Sequence, residues 1–124
     1  MDFYCGRTQD SEKRPATIAT IRGVEGSEIT IVVWSDSSKM TAKQRCEVVS
    51  QRFQIAWDRG NFNHLGSGVD RNGAGLICAI KYQEQLCDIN HALFTLKNGQ
   101  KSRDIIQRLK SALSGETGSV PICH

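Results

Sequence analysis

The chain has 124 residues, 39% of them hydrophobic, which suits one small globular domain with a single core. Its net charge of +3 is weaker than the clustered basic excess of nucleic-acid-binding domains, so no nucleic-acid partner is expected. No stretch approaches the ~20 apolar residues that cross a bilayer. No signal-peptide pattern follows Met1. We therefore expect either a cytosolic chain or the mature part of an exported one.

The first part of the chain predicts an irregular arm followed by a hairpin. Residues 6–15 are polar and end at a proline, which indicates the arm. Partial alternation over Ala16–Arg22 and β-branched residues over Glu28–Trp34 predict two strands. The turn between them lies at Gly23–Gly26, so the two strands form an antiparallel hairpin.

A long amphipathic helix is the clearest element. Thr41 is the expected N-cap, the helix runs to about Arg59, and Gly60 ends it. Apolar residues recur at helical spacing and predict the side that packs on a sheet: Ala42, Cys46, Val49, Phe53, Ala56 and Trp57.

The second part predicts another hairpin and a further short strand. Phe62–Val69 and Ala74–Lys81 flank an Asn72-Gly73 turn, a strong hairpin signal. Tyr82–Asn90 is a polar loop that carries a cysteine, and Ala92–Lys97 is the short strand.

The end of the chain predicts a second helix and a tail. Ser102 is the expected cap, Leu113 is near the helix end, and Gly115 terminates it. The fold class is therefore α+β, an antiparallel sheet of two hairpins plus a short strand, with two helices packed on it. We expect one domain over residues 3–114 and a flexible tail over residues 115–124.

The five cysteines predict disulfides rather than a metal site. None forms a Cys-x-x-Cys pair, and no Cys/His cluster has zinc-ligand spacing, so no metal or cofactor is expected. Cys123 follows a Gly/Ser/Thr-rich segment and is the expected free thiol. The other four allow three pairings. We favour Cys78–Cys87, which closes a short loop, and Cys5–Cys46, which attaches the arm to the helix.

No catalytic residue is predicted. Cys46 could pair with His64 or His91 as a nucleophile and base, but it lies in the apolar stripe, where a thiolate is disfavoured. Glycine pairs at Gly66/Gly68 and Gly73/Gly75 do not open a helix, and the Lys-Ser/Thr of a phosphate-binding loop is absent. We expect the chain not to be an enzyme.

A second stripe on the first helix predicts either packing or binding. Its arginines repeat every seven residues with two apolar residues beside them, and this arginine stripe comprises Arg45, Val48, Arg52, Ile55 and Arg59. The second helix or a loop could cover its apolar members. Otherwise the stripe suits a partner-binding face with arginine anchors and apolar centres.

Several blocks of the chain resemble the circadian oscillating protein family of cyanobacteria. The most specific block is Gln44–Phe53, and the others are Phe3–Gly6, Pro15–Thr17, Trp34, Ile77–Cys78, Cys87 and Leu93–Lys97. The resemblance spans roughly residues 3–113. It implies a cyanobacterial protein, usually exported behind a signal peptide, with four shared cysteines. It implies no reaction and no catalytic residue, and Cys123 falls outside the shared pattern.

Together, the cysteines and the resemblance lead us to expect an extracytoplasmic protein in the periplasm, the thylakoid lumen or at the cell surface. We expect it to bind an unknown protein or an anionic membrane surface. The alternative is a thiol-dependent redox protein or enzyme that uses one of the five cysteines.

Overall fold

The computed structural model describes residues 1–114 and 121–124 and has the predicted α+β class. Two helices and seven strands occur in the described part of the chain, and the strands form two sheets rather than one. The chain forms two compact units: Met1–Gln54 with Arg108–His124, and Ile55–Gln107. Both boundaries fall within helices. That the chain forms one domain stays a prediction.

The first unit contains a four-stranded sheet in the order β1-β2-β3-β7. Its strands are β1 (Asp2–Arg7), β2 (Pro15–Thr20), β3 (Ile29–Val33) and β7 (Ile122–Cys123). Neighbours pair antiparallel except β3 and β7, which are parallel. The predicted hairpin is β2–β3, whereas β1 lies partly where an irregular arm was predicted.

The chain end differs from the predicted tail. Val33 is in register with Cys123, and the His124 amide donates a 2.8 Å hydrogen bond to the Val33 oxygen. A two-residue strand has no detectable periodicity, so only its pairing with β3 reveals it. The predicted helix end at Gly115 lies outside the described residues.

Helix α1 spans Ala42–Asp58, and local chemistry defines both of its ends. The Thr41 hydroxyl accepts a hydrogen bond from the Gln44 amide, while the Gln44 side chain accepts one from the Thr41 amide. This reciprocal pair is a capping box. At the other end Gly60 has φ +72°, and the Asn61 amide donates to the Ala56 oxygen, as in a Schellman motif.

The inner side of α1 packs on the first sheet largely as predicted. Cys46, Val49 and Phe53 are buried, and the Phe53 ring centroid lies 5.3 Å from that of Phe3. Ser50 is also buried, and its hydroxyl lies 2.8 Å from the Thr17 hydroxyl. The packed side therefore includes a satisfied polar pair that an apolar pattern does not detect.

Trp57 was wrongly assigned to the packed side. Its side chain is 38% exposed, and its ring centroid lies 5.9 Å from that of Phe62. Helical spacing indicates a side of the helix, but only the extent of the surrounding structure decides whether the last turn is covered.

The second unit contains a three-stranded antiparallel sheet in the order β4-β5-β6. Its strands are β4 (His64–Val69), β5 (Gly75–Ile80) and β6 (Ala92–Thr95). Gly73 has φ +82° in the β4–β5 turn, as the Asn-Gly signal predicts. Helix α2 spans Ser102–Leu113, so the predicted cap Ser102 is its first helical residue.

Candidate interaction surfaces

The apolar members of the arginine stripe are partly exposed. Val48 and Ile55 are 38% and 41% exposed, although both lie within α1. A spacing of seven residues places them on one side of the helix, about 10 Å apart along its axis. Surrounding residues therefore cover part of each side chain and leave the rest open to solvent.

Arg45 is half-buried and makes several contacts within the first unit. Its guanidinium donates hydrogen bonds to the main-chain oxygens of Ser35 and His124, at 2.8 and 2.7 Å, and to Nδ1 of the His124 ring. It also lies over the Trp34 ring, 4.9 Å from its centroid. Burial lowers the pKa of Arg45. These contacts hold β7 against the rest of the unit.

The other two arginines of the stripe are exposed. Arg52 lies one turn of helix from Val48 and Ile55, and Arg59 follows the last residue of α1. Val48, Arg52 and Ile55 therefore lie on one side of a continuous helix, and we call these three residues the α1 face.

Both favoured disulfides are present. Cys5 bonds to Cys46 and Cys78 bonds to Cys87, with Cα atoms 5.5 and 5.6 Å apart. Cys123 is exposed and outside both bonds. Cys46 is fully buried, so its sulfur is not a nucleophile while the disulfide is intact.

The two histidines considered as bases belong to ordinary surface structure. His64 is exposed at the start of β4. His91 Nδ1 donates to the Asp88 carboxylate at 3.0 Å, and Gln85 Nε2 donates to His91 Nε2 at 2.8 Å. Both ring nitrogens of His91 are thus engaged in holding a loop.

A second apolar surface was not predicted from the sequence. The segment from Tyr82 to Asn90, here called the Cys87 loop, exposes Tyr82, Leu86 and Ile89 by 63%, 80% and 67%. Its polar composition concealed these residues, because they have neither helical nor strand periodicity. The signal available in the sequence was that Leu86 and Ile89 lie on either side of Cys87.

Hydrogen bonds and a disulfide give the Cys87 loop a defined shape. The Gln85 side chain accepts hydrogen bonds from the amides of Lys81 and Tyr82, at 2.9 and 3.4 Å. The hydrogen bond from His91 lowers the pKa of Asp88, so this carboxyl is ionised at neutral pH. The Cys78–Cys87 bond attaches the loop to β5.

Gly66 and Gly68 of β4 leave room for the Cys87 loop to lie against the sheet. A Cβ on Gly68 would collide with the main-chain oxygen of Cys87, and one on Gly66 would lie 3.0 Å from the end of Ile80. Gly66 and Gly68 are paired with Cys78 and Leu76 of β5. The pair considered as a phosphate cradle thus allows the loop to approach the sheet.

In residues 1–114 and 121–124 no group of three or more acidic, histidine or cysteine side chains could hold a metal ion. In the same residues no helix is both long and apolar enough to cross a membrane.

Comparison with known proteins finds one family. No curated protein and no solved structure matches the chain significantly. A family description, circadian oscillating protein COP23, matches residues 2–123, which is nearly the whole sequence. The chain therefore belongs to the circadian oscillating protein COP23 family.

Proposed function

We propose that this protein is a non-enzymatic extracytoplasmic binding domain whose α1 face binds a protein partner carrying acidic groups. One observation carries the proposal: Val48 and Ile55 are exposed on a helix whose opposite side is already buried through Cys46 and Phe53. Partly exposed β-branched residues contribute incomplete burial and poor helix propensity to the isolated chain. A partner that covers them supplies the missing burial.

The chemistry of the α1 face indicates what it binds. Arg52 is exposed one helical turn from Val48 and from Ile55, and arginine with an apolar centre is typical of protein interfaces. A carboxylate on the partner can accept two hydrogen bonds from one guanidinium. Val48 and Ile55 can meanwhile enter a small apolar depression.

A protein partner fits this face better than an anionic membrane does. Exposed acidic residues stand beside its apolar members, with Glu47 next to Val48 and Asp58 three residues after Ile55. A uniformly anionic surface repels both carboxylates, whereas a protein can match positive and negative groups individually.

The two disulfides support an extracytoplasmic location, because such bonds persist in oxidising compartments. Because four cysteines are in these bonds, a thiol-dependent redox function would have to use Cys123 or a cysteine released by reduction of one bond. Assays with ester, phosphoester, peptide and disulfide substrates separate the two functions. We expect no turnover; activity abolished by Cys123→Ser in a folded variant would instead establish the thiol-dependent alternative.

The binding experiment compares matched variants of the folded domain as bait for native soluble and membrane fractions. Val48→Ser/Arg52→Glu alters the α1 face, while Val69→Ser/Arg71→Glu makes the same changes at exposed positions of the β4–β5 hairpin. We expect a captured protein to be lost with the first variant and retained with the second. The captured protein, once purified, should bind the unaltered domain again.

Equal capture by both variants would show that the α1 face is only a solvated helix surface. Vesicles of phosphatidylglycerol test the membrane alternative directly. Binding to these vesicles that the α1 variant loses would replace the protein partner with a lipid one.

A further inference from the structure

We propose that the outer edge of β1 binds an extended peptide segment of another protein, with an acidic residue opposite Cys5 and an apolar residue beside Tyr4. The inference concerns main-chain groups of the first unit and does not depend on the α1 face. It rests on the hydrogen bonding of β1, on the hollow beside this strand and on the charges around that hollow.

Strand β1 lies at the edge of its sheet and pairs only with β2, in an antiparallel ladder. In such a ladder, residues bonded to the neighbouring strand alternate with residues whose N–H and C=O point outward. Phe3 belongs to the outward set, because its amide donates a 2.7 Å hydrogen bond to the Gln54 side chain. Cys5 and Arg7 follow at intervals of two residues, so they point outward as well.

The other end of β1 gives the same pattern. Pro15 lies opposite Arg7, and its oxygen accepts a 2.9 Å hydrogen bond from the Trp34 amide instead of from β1. The Thr8 amide, one residue after Arg7, donates across the hairpin to the Arg14 oxygen at 2.9 Å. The alternation therefore continues to the end of the strand, with Arg7 in the outward set.

The outward groups at Cys5 and Arg7 are those that an added strand would use. In residues 1–114 and 121–124 neither amide donates a hydrogen bond, and the Cys5 oxygen accepts none. At Phe3 the Gln54 side-chain carbonyl already occupies the place of a neighbouring strand's carbonyl. The pairing of β1 with β2 has no bulge, and β1 has no proline, so two common protections of edge strands are missing. An extended peptide can therefore continue the sheet beyond β1.

A small hollow opens beside this part of the edge. Its volume is about 130 Å³, and it adjoins the Cys5–Cys46 disulfide. Its lining consists of Cys5, Gly6, Arg7, Pro15, Lys43 and Glu47. Directly opposed residues of neighbouring strands project on the same face of a sheet. The peptide residue opposite Cys5 therefore projects on the side of this hollow.

The charges around the hollow favour an acidic side chain. Arg7 and Lys43 contribute two positive charges and Glu47 one negative charge, which lies 3.9 Å from Lys43. The balance is positive. One nitrogen of the Arg7 guanidinium donates to the Lys13 oxygen at 2.9 Å, and a guanidinium has further N–H groups that can bind a carboxylate.

The opposite face of the edge offers an apolar contact. Tyr4 is 42% exposed, and its ring lies so close to Gly6 that a Cβ on this glycine would be 3.1 Å from a ring carbon. The peptide residues before and after the acidic one project on this face. A β-branched or aromatic residue there would pack on the Tyr4 ring.

A segment of another protein suits this edge better than a second copy does. Two β1 edges paired about Cys5 would place Cys5 opposite Cys5. Each of these side chains is already bonded to Cys46, so neither could enter the hollow of the other copy. The pairing would also bring together two hollows of the same net charge, which is unfavourable.

Amide hydrogen exchange of the protein alone tests the edge itself. The Tyr4 and Gly6 amides point toward β2, so they should exchange at least about tenfold more slowly than those of Cys5 and Arg7. A Cys5 amide as protected as that of Tyr4 would overturn the inference, because its outward N–H would already have a partner. All proteins carry Cys123→Ser to prevent intermolecular disulfides.

A displayed library of random linear peptides is the probe for the partner. Selected peptides should carry Asp or Glu between apolar residues, bind with a Kd of about 10–500 μM and protect the Cys5 and Arg7 amides from exchange. Methylating the peptide's own amide nitrogens one at a time should abolish binding at alternate residues only, because alternate amides of an added strand face β1.

Matched variants separate the main-chain contact from the charge. Arg7→Pro and Arg7→Ala both remove the guanidinium, but only proline removes the outward N–H, and edge strands tolerate proline. Arg7→Pro should bind the selected peptides at least about tenfold more weakly than Arg7→Ala. Lys43→Ala should also weaken binding, whereas Lys39→Ala, an exposed lysine outside the hollow, should not. Slow exchange at Tyr4 and Gly6 shows that each variant folds. If Arg7→Pro does not fold, the methylation series decides.

Equal peptide binding by Arg7→Pro and Arg7→Ala overturns the inference, as does a methylation series without alternation or a library that yields no peptide protecting the Cys5 amide. Concentration-dependent association of the protein alone that Arg7→Pro abolishes would replace the peptide with a second copy. The α1 variant Val48→Ser/Arg52→Glu should bind the peptides as the parent does. Loss of peptide binding in that variant alone would move the peptide to the α1 face.

Discussion

Arg45 donates a 2.7 Å hydrogen bond to the main-chain oxygen of His124, 79 residues further along the chain, and a second to the His124 ring. The His124 ring also lies against Trp34, with centroids 5.2 Å apart. A half-buried arginine of the predicted binding stripe therefore connects α1 to the end of the chain beside the first sheet.

Arg45→Gln should lower the free energy of unfolding by about 1.5–3 kcal/mol, the range for hydrogen bonds that involve a charged group. Urea denaturation measures the change. The control is Arg59→Gln, which removes an exposed arginine and should change the value by less than about 0.5 kcal/mol. Equal effects of the two variants would contradict the structural role of Arg45.

Phe53→Ala should destabilise the protein by about 3–5 kcal/mol, because it removes a fully buried ring that packs on Phe3. Ile55→Ala, two residues further on the exposed side, should cost far less. A loss below about 1 kcal/mol for Phe53→Ala, under the range for buried rings, would mean that the opposite side of α1 is the packed one.

The two disulfides should differ in their contribution to stability. Cys5 and Cys46 are 41 residues apart and Cys78 and Cys87 are 9 apart, so loop entropy predicts about 4 and about 3 kcal/mol. Paired Cys→Ser variants measure both values. Thiol titration of unfolded, unreduced protein should find one reactive sulfhydryl, and four or five would contradict both bonds.

Gly68→Ala should destabilise the second unit by about 1–3 kcal/mol, the cost of overpacking, because the new methyl group meets the backbone of Cys87. Gly66→Ala is the matched control. Its methyl group would meet the flexible end of Ile80, which can move. Thermal unfolding compares the two, and an equal loss would show that the Cys87 loop is not seated on Gly68.

Acid should loosen the Cys87 loop. The hydrogen bond from His91 lowers the pKa of Asp88 from its ordinary value, so the folded state favours the ionised carboxylate. Its stabilising contribution is therefore complete above the unfolded pKa of about 3.9 and is lost as the pH falls through the folded value. Carbon-detected NMR titration should give a lower pKa for Asp88 in the folded protein than in the unfolded chain. A higher value would contradict the hydrogen bond.

Elements specified by neighbouring residues were predictable. The capping box and Gly60 define α1 within one residue at each end, and Asn72-Gly73 defines the β4–β5 turn. Both disulfides were also predicted from the sequence. One closes a local loop, and the other joins the start of the chain to the packed side of α1.

Long-range contacts decided the remainder. Strand β7 exists because β3 offers it an edge, and Trp57 is exposed although its spacing matches the buried side. The members of the arginine stripe likewise differ: Arg45 is half-buried and hydrogen-bonded to His124, whereas Val48 and Ile55 are more exposed, although their heptad spacing is the same. A sequence encodes turns and caps through adjacent side chains. Two residues with the same helical spacing can differ in burial, because segments distant in the sequence cover one and not the other. Only the tertiary structure brings those segments together.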